Sequence, residues 1–178
     1  MPYQLLASEI VFKGRVFDVR IDQVHLPNGA RARVDLVLHK EAVTLLPVDE
    51  SGNIWFIRQY RHPIGKVLLE LPAGALEDAE LPEDGAGREL REETGMAARK
   101  LRRIGKFYLA PGYSTEALYV FLAEQLYFSP LQADADEIIE VEKIPVAVAY
   151  QMAEAGEIED AKSLGALLFA RPYLAALL

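Results

Sequence analysis

Gly74-Ala-Leu-Glu-Asp-Ala-Glu80-Leu-Pro82-Glu-Asp-Gly-Ala-Gly-Arg88-Glu89-Leu90-Arg-Glu92-Glu93-Thr-Gly95-Met96 is the stretch on which the reading of this chain turns. Pro82 suits the first turn of a helix and Gly95 the residue just past its end, so a helix of roughly 13 residues fits between them. At about 100° per residue, Glu89, Glu92 and Glu93 fall within an arc of roughly 100°. Ala86, Leu90 and Thr94 form the stripe beside them, with Arg88, Arg91 and Asp84 on the far side. The pairs Glu89/Glu92 and Glu89/Glu93 each oppose the helix by roughly 0.2–0.5 kcal/mol. Glu92 and Glu93 also occupy the last turn, where the macrodipole favours cations. A divalent cation would reverse both effects. The plainer reading is a solvated charged face in which Arg88, four residues before Glu92, offsets part of the repulsion.

The spacing of the whole segment goes further than its charge. It fits the pattern G-x5-E-x7-R-E-U-x-E-E-x-G-U, U being apolar, at Gly74, Glu80, Arg88, Glu89, Leu90, Glu92, Glu93, Gly95 and Met96. In this pattern the chain resembles the Nudix hydrolase family. Trp55 to Arg61 and Leu69 to Gly74 look like the strands that lead into this box in ADP-ribose pyrophosphatases and related nucleotide-sugar hydrolases. Pro111, within Ala110-Pro-Gly-Tyr-Ser-Thr-Glu116, lies about 16 residues past Gly95, as in that subgroup. Gly156-Glu-Ile-Glu-Asp-Ala161 is similar as well. The likeness covers most of residues 31–170.

The resemblance implies a site. Glu89 and Glu93 would be the principal metal ligands, Glu92 a further ligand or the holder of a water, and the backbone carbonyl of Ala73 a fourth donor. Magnesium accepts such hard oxygens, with manganese as a substitute. Glu80 and Arg88 would form an ion pair holding the loop onto the helix, and Gly74 and Gly95 would take turn conformations closed to other residues. A metal-bound carboxylate is a weak base, so the water would be activated from outside the box. Glu137, in the acidic segment Asp134-Ala-Asp136-Glu137-Ile-Ile-Glu140, is the candidate, against the reading of that segment as a solvated turn. Arg61 is the candidate phosphate clamp, with Arg58 as the alternative. Strand alternation puts Arg58 and Arg61 on opposite faces, so the two do not easily serve one site. Gly112 could bring backbone close to a ribose or phosphate, and Glu116 could accept a sugar hydroxyl or approach the metals; a loop turn and a surface charge are the plain alternatives. In the family an adenine is often stacked on an aromatic near the N-terminal strands; Phe17 and Tyr3 could serve, but both read first as packing residues. Gly85 and Gly87 stand where the family has alanines and each costs about 0.8–1 kcal/mol of helix propensity, so the helix is expected to fray or start late.

Composition fits a compact enzyme. The chain has 178 residues, 51% of them hydrophobic, enough for one core. No apolar run approaches the length of a membrane span and Met1-Pro2-Tyr3 does not open a signal peptide, so a cytoplasmic protein without membrane attachment is expected. With no cysteine in the chain, disulfides and thiolate metal sites are excluded. His25, His39 and His62 show no ligand spacing. Oxygen ligation therefore remains, favouring magnesium or manganese. A net charge of −8 argues against long nucleic acids. The one basic run, Arg99 to Arg103, reads as a solvated edge at a strand start. A small anionic substrate is compatible, since one or two arginines and a metal neutralise a diphosphate locally.

Strands are expected over Val16–Leu26 and Arg31–His39, joined at Asn28-Gly29, a strong hairpin signal. Further strands are expected over Ala42–Pro47, Asn53–Tyr60 and Val67–Leu71, with a turn at Asp49–Gly52. Beyond the box helix come Leu101–Leu109, Ala117–Ala123 and Ile138–Val141. A helix from Pro145 to Gly156 follows, and another capped by Asp160 runs to about Arg171. The expected fold is α+β, an α/β/α sandwich around a mixed sheet with a small N-terminal β-subdomain at residues 1–40 and the hydrolase domain at 41–178. The small subdomain is too small to stand alone. Its apolar face could be covered by the chain's own core, but the resemblance implies covering by a second copy, so a homodimer is expected. The expected reaction is magnesium-dependent hydrolysis of ADP-ribose to AMP and ribose 5-phosphate. Alternatives are another nucleoside diphosphate sugar such as GDP-mannose, or an ADP-ribose sensor without turnover, a class that carries a degraded box.

Overall fold

The structure, a computed structural model, describes residues 3–132 and 138–178. It divides into two compact units, Met1–Glu41 with Tyr108–Ala117, and Ala42–Phe107 with Leu118–Leu178.

The first unit is an antiparallel sheet of β1 (Gln4–Lys13), β2 (Phe17–His25) and β3 (Arg31–His39) in that order. The hairpin signal is realised between β2 and β3. Gly29 adopts φ +86 and donates to the Leu26 carbonyl, and the Asn28 side chain accepts from Ala30 N at 3.0 Å. His25 then pairs with Arg31 and Val24 with Ala32. Residues 113–115 run beside β3: Val37 N donates to Tyr113 O at 2.8 Å and Thr115 N to Val37 O at 3.0 Å. Every residue of β1 is exposed.

The second unit is built on β4 (Ala42–Val48), β5 (Asn53–Arg61), β6 (Lys66–Glu70), β7 (Ala73–Ala75), β8 (Met96–Tyr108), β9 (Ala117–Phe128) and β10 (Ile139–Pro145). The order is β10-β5-β4-β9-β8, with β6 also on β5 and β7 on β4. β4 runs parallel to β9, Leu45 opposite Phe121, while its neighbours β5 and β7 are antiparallel to it. Ala42-Val-Thr-Leu-Leu-Pro-Val48 is buried at every position, which suits a strand covered on both faces. Alternation sorts its side chains. Val43 and Leu45 join Phe121, Ala123, Ala86 and Leu90 of α1 (Pro82–Thr94). Leu46 and Val48 join Phe56, Val120 and Leu122 with Ala149 and Tyr150 of α2 (Val146–Glu154) and Ala166, Leu167 and Ala170 of α3 (Ala161–Ala170). The mixed sheet thus lies between helices on both faces, the expected α/β/α sandwich. Among the described residues no helix is long and apolar enough to cross a membrane.

Helix ends follow the local signals. Pro82 is the first residue of α1, and Gly95, at φ 72, closes it by donating to Arg91 O. Asp160 caps α3 by accepting from Ser163 N at 3.0 Å. Two expectations need correction, and one strand was missed. α1 starts on time in spite of Gly85 and Gly87. Gly85 is buried, and a Cβ there would come within 2.5 Å of Leu76 Cδ2, so its missing side chain admits the loop. β7 was not foreseen, because three residues are too few to show an alternation. Arg99 to Arg103 lie inside β8, which already begins at Met96, and Arg99, Arg102 and Arg103 cover the rings of Tyr127, Tyr173 and Tyr119. Charges on this last strand of the order discourage edge-to-edge association.

Candidate active site

The site is assembled from β6, β7 and α1. Glu70 ends β6, Leu71-Pro72 turns the chain, and β7 lays Ala73 opposite Thr44 and Gly74 opposite Val43 of β4. A short loop then delivers α1, whose inward stripe is Gly85, Ala86, Glu89, Leu90 and Glu93. Two carboxylates therefore lie on the buried face of the helix, Glu89 at 8% exposure and Glu93 at 5%. Burying charge is costly without compensation, so their neighbours decide what they do.

Glu93 Oε2 accepts the N–H of Ala73 at 2.8 Å, pinning the helix to β7. Glu89 lies against Gly74. A Cβ at that position would stand 2.0 Å from Glu89 Oε1 and 2.1 Å from its Cδ. The expectation that Gly74 serves a turn conformation is corrected here. It is not among the positive-φ glycines, whereas Gly95 is. Gly74 supplies room for a carboxylate.

Arg88 organises the solvent side. It holds Glu80 with a two-pronged contact, Nε to Oε1 and Nη2 to Oε2, both 2.9 Å. Its Nη1 donates to Glu89 Oε1 at 2.7 Å and to Glu92 Oε2 at 2.8 Å, and Nη2 reaches Ala75 O. The long side chain thus reaches back to the carboxylates and does not take the far side of the helix. The Arg88 pKa is raised, first by its hydrogen bonds to Glu80; that of Glu80 is lowered, first by Arg88. The loop between β7 and α1 is locked by this pair, as the box pattern implied.

As the side chains stand, no three acidic or histidine groups converge on one point among the described residues. The donor types nevertheless suit a hard divalent cation: two buried carboxylates, the less buried Glu92 beside them, and the Ala73 peptide next to the Gly74 cradle. The residues present fit a hard divalent metal ion.

Other candidates fall elsewhere. Arg61 makes a fork with Glu70, Nε to Oε1 at 2.8 Å and Nη2 to Oε2 at 2.7 Å. Its pKa is raised, first by that hydrogen bonding, and Glu93 is among the charges that raise it. Arg58 belongs to the other face of β5 and binds Glu142 of β10. Gly112 and Glu116 belong to the first unit, where Glu116 Oε1 stands 4.0 Å from His39 Nδ1. Tyr3 and Phe17 are both exposed. Glu137 lies outside the described residues.

One group escaped the sequence reading. Glu70, 1% exposed, takes not only the Arg61 fork but also the ammonium of Lys162 from α3. Lys162 in turn reaches Asp160 Oδ2 at 2.9 Å, and Ser163 Oγ accepts the N–H of Leu71 at 2.7 Å. A lone glutamate in the apolar run Val67-Leu-Leu-Glu-Leu71 was the available signal.

A model of the NUDIX domain matches residues 38–166. The chain belongs to the Nudix family. It is 40% identical over 166 residues to the ADP-ribose pyrophosphatase of Bacillus subtilis (strain 168), an alignment covering 92% of this chain and 90% of that protein. It is 41% identical over 125 residues to the ADP-ribose pyrophosphatase of Mycobacterium tuberculosis, covering 70% of this chain and 60% of the relative. Among solved structures, an ADP compounds hydrolase matches with a TM-score of 0.89 at 26% identity, covering 99% of this chain and 96% of the other. Both the Nudix assignment and the sandwich expected from the box accord with these likenesses.

Proposed function

We propose that this Nudix enzyme hydrolyses the diphosphate of ADP-ribose to AMP and ribose 5-phosphate with Mg2+, for which Mn2+ substitutes. The observation that carries the reading is the pair of buried carboxylates, Glu89 and Glu93, turned toward Ala73 and the Gly74 cradle. Two relatives named ADP-ribose pyrophosphatase, one of them matched over 90% of its own length, support the substrate. A diphosphate resists attack because its negative oxygens repel the nucleophile. Magnesium, when bound, supplies the neutralising charge and acidifies a coordinated water.

The chain's own residues do the rest. Glu89, Glu93 and Glu92 with the Ala73 carbonyl would hold the cation, and Arg88 keeps the loop in place through Glu80. Arg61 carries a phosphate, and Glu137 takes the proton of the attacking water. That water adds to one phosphorus while the bridging P–O bond breaks and the bridging oxygen leaves with the other phosphate. Gly112 and Glu116 contact the sugar side. The protein works as a cytoplasmic homodimer whose N-terminal strands serve the partner.

A hydrolysis panel of ADP-ribose, GDP-mannose, ADP-glucose, NADH and FAD with magnesium and product identification tests this. ADP-ribose as the best substrate, yielding AMP, is expected. Preference for GDP-mannose would keep the chemistry and change the substrate. Binding of ADP-ribose without any product would make the chain a sensor and overturn the proposal.

A further inference from the structure

Glu70 is an unusual place to spend a carboxylate. It is almost fully buried at the end of β6, and it answers two cations at once, Arg61 from β5 and Lys162 from α3. A purely structural pair would need one of them. Asp160 already lies 2.9 Å from Lys162, so the lysine has a carboxylate of its own.

The arrangement makes sense from the side of Arg61. A guanidinium carries five N–H donors in a rigid plane. Glu70 takes one from Nε and one from Nη2, and neither hydrogen on Nη1 takes part in that fork. The arginine side chain is 39% exposed while its partner carboxylate is 1% exposed, so the pair is buried on the Glu70 side and open on the other. Glu93 of α1 is among the charges that raise the Arg61 pKa, so the guanidinium lies within electrostatic reach of that carboxylate. A long arginine left alone would sample many rotamers; a two-point fork to a fixed carboxylate removes that freedom before any ligand arrives.

The carboxylate itself must then be fixed. Burial opposes its charge, and the hydrogen bonds from Arg61 together with the charge of Lys162 outweigh that and lower its pKa. Lys162 is fixed in turn by the α3 cap, where Asp160 also accepts from Ser163 N, and Ser163 Oγ ties Leu71 N. Lys162 and Ser163, both held by Asp160, thereby reach Glu70 and Leu71.

We propose that Glu70, backed by Lys162, is a positioning residue that holds the Arg61 guanidinium with its Nη1 edge presented to the diphosphate of the substrate. It rests on the reading of the site as a nucleoside diphosphate hydrolase, and it assigns the segment from Asp160 to Ser163 a part in substrate affinity from the opposite face of the sheet from α1.

The test is a double-mutant cycle in the full chain. Glu70→Gln keeps the shape but turns an N–H₂ toward a cation, and the KM for ADP-ribose should rise about ten- to a hundredfold, the scale of a charge-assisted hydrogen bond. The change in kcat should stay under about threefold, with the magnesium concentration for half-activity unmoved. Since Glu70 acts through Arg61, adding Glu70→Gln to Arg61→Ala should alter KM by less than about twofold beyond Arg61→Ala alone. Factors that multiply, or kcat and thermal midpoint falling together with KM unchanged, would overturn the proposal. Should Glu70→Gln fail to fold, Lys162→Met gives a smaller KM rise that Lys162→Arg reverses; no rise overturns it equally. Calorimetric binding of magnesium pyrophosphate separates the two readings. If wild type hydrolyses no nucleoside diphosphate sugar, the proposed function fails, yet weaker pyrophosphate binding in Glu70→Gln still upholds the positioning role. Equal pyrophosphate affinity in wild type and variant refutes it.

Discussion

At the scale of single residues, the chemistry rests on whether Glu89 and Glu93 carry their charges to a cation. Glu89→Gln and Glu93→Gln should each lower turnover about a hundredfold or more, the scale of losing one preorganised electrostatic group. The amide oxygen still accepts from Arg88 or from Ala73 N, so circular dichroism and the metal-free thermal midpoint should hardly move; near-normal turnover would remove the residue from the site. Gly74→Ala is a sharper probe. Alanine is at home in a strand, but its Cβ would need the space of the Glu89 carboxylate, 2.0 Å from Oε1. Turnover should fall as far as in Glu89→Gln while the far-UV spectrum is kept, and full activity would show that Glu89 need not sit there. Spacing alone exposed the carboxylates and the two glycines. What Gly74 does was hidden, because a glycine that avoids a clash and one that takes a positive φ look alike in a sequence. Glu70 was hidden for another reason: its partners Arg61 and Lys162 lie on separate elements, and nothing local marks a pair 92 residues apart.

Among the elements, α1 was legible to the residue, since Pro82 and Gly95 act through the backbone of their own turn. The two glycines within it were not, because the sign of a glycine depends on what stands opposite. Gly87 meets no atom within 4 Å of an added Cβ, whereas Gly85 meets Leu76 at 2.5 Å. Gly87→Ala should therefore raise stability by about 0.5–1 kcal/mol in urea unfolding with turnover unchanged. Gly85→Ala should give no such gain. An equal gain at both positions would mean that the Leu76 loop yields freely. The α2–α3 pair offers a test by pH. Tyr150 is buried, its hydroxyl donates to Leu167 O at 2.6 Å, and burial pushes its pKa up to about 12 from 10.0. A raised folded value means that this contribution is complete below about pH 10 and is lost as pH climbs toward about 12. At most about 2.7 kcal/mol is at stake for a shift of that size. The stability gap between wild type and Tyr150→Phe should narrow across that window, and a gap that is constant from pH 9 to 12 would show that Tyr150 does not titrate with unfolding.

For the whole molecule, the question is what covers the first unit. β1 pairs with β2 on one side only, and Leu5, Ile10 and Phe12 along it are all exposed. An isolated sheet of this size with uncovered apolar side chains and an open edge is unstable against association. A two-fold pairing of identical chains would cover it and would make the two sites equivalent. The hairpin itself was written in Asn28-Gly29, but its covering could not be, because alternation tells which side chains share a face and not whose surface meets it. If a second copy meets it, the protein should sediment and scatter as a dimer at micromolar concentration. Ile10→Glu combined with Phe12→Glu should shift it to monomer. Because the partner's strands then no longer serve the substrate, KM for ADP-ribose should rise at least about tenfold, while the magnesium dependence set by Glu89 and Glu93 stays as it was. A wild-type monomer with full activity at that concentration would rule out the dimer, and a monomeric double variant with unchanged KM would leave the N-terminal strands with no part in substrate binding.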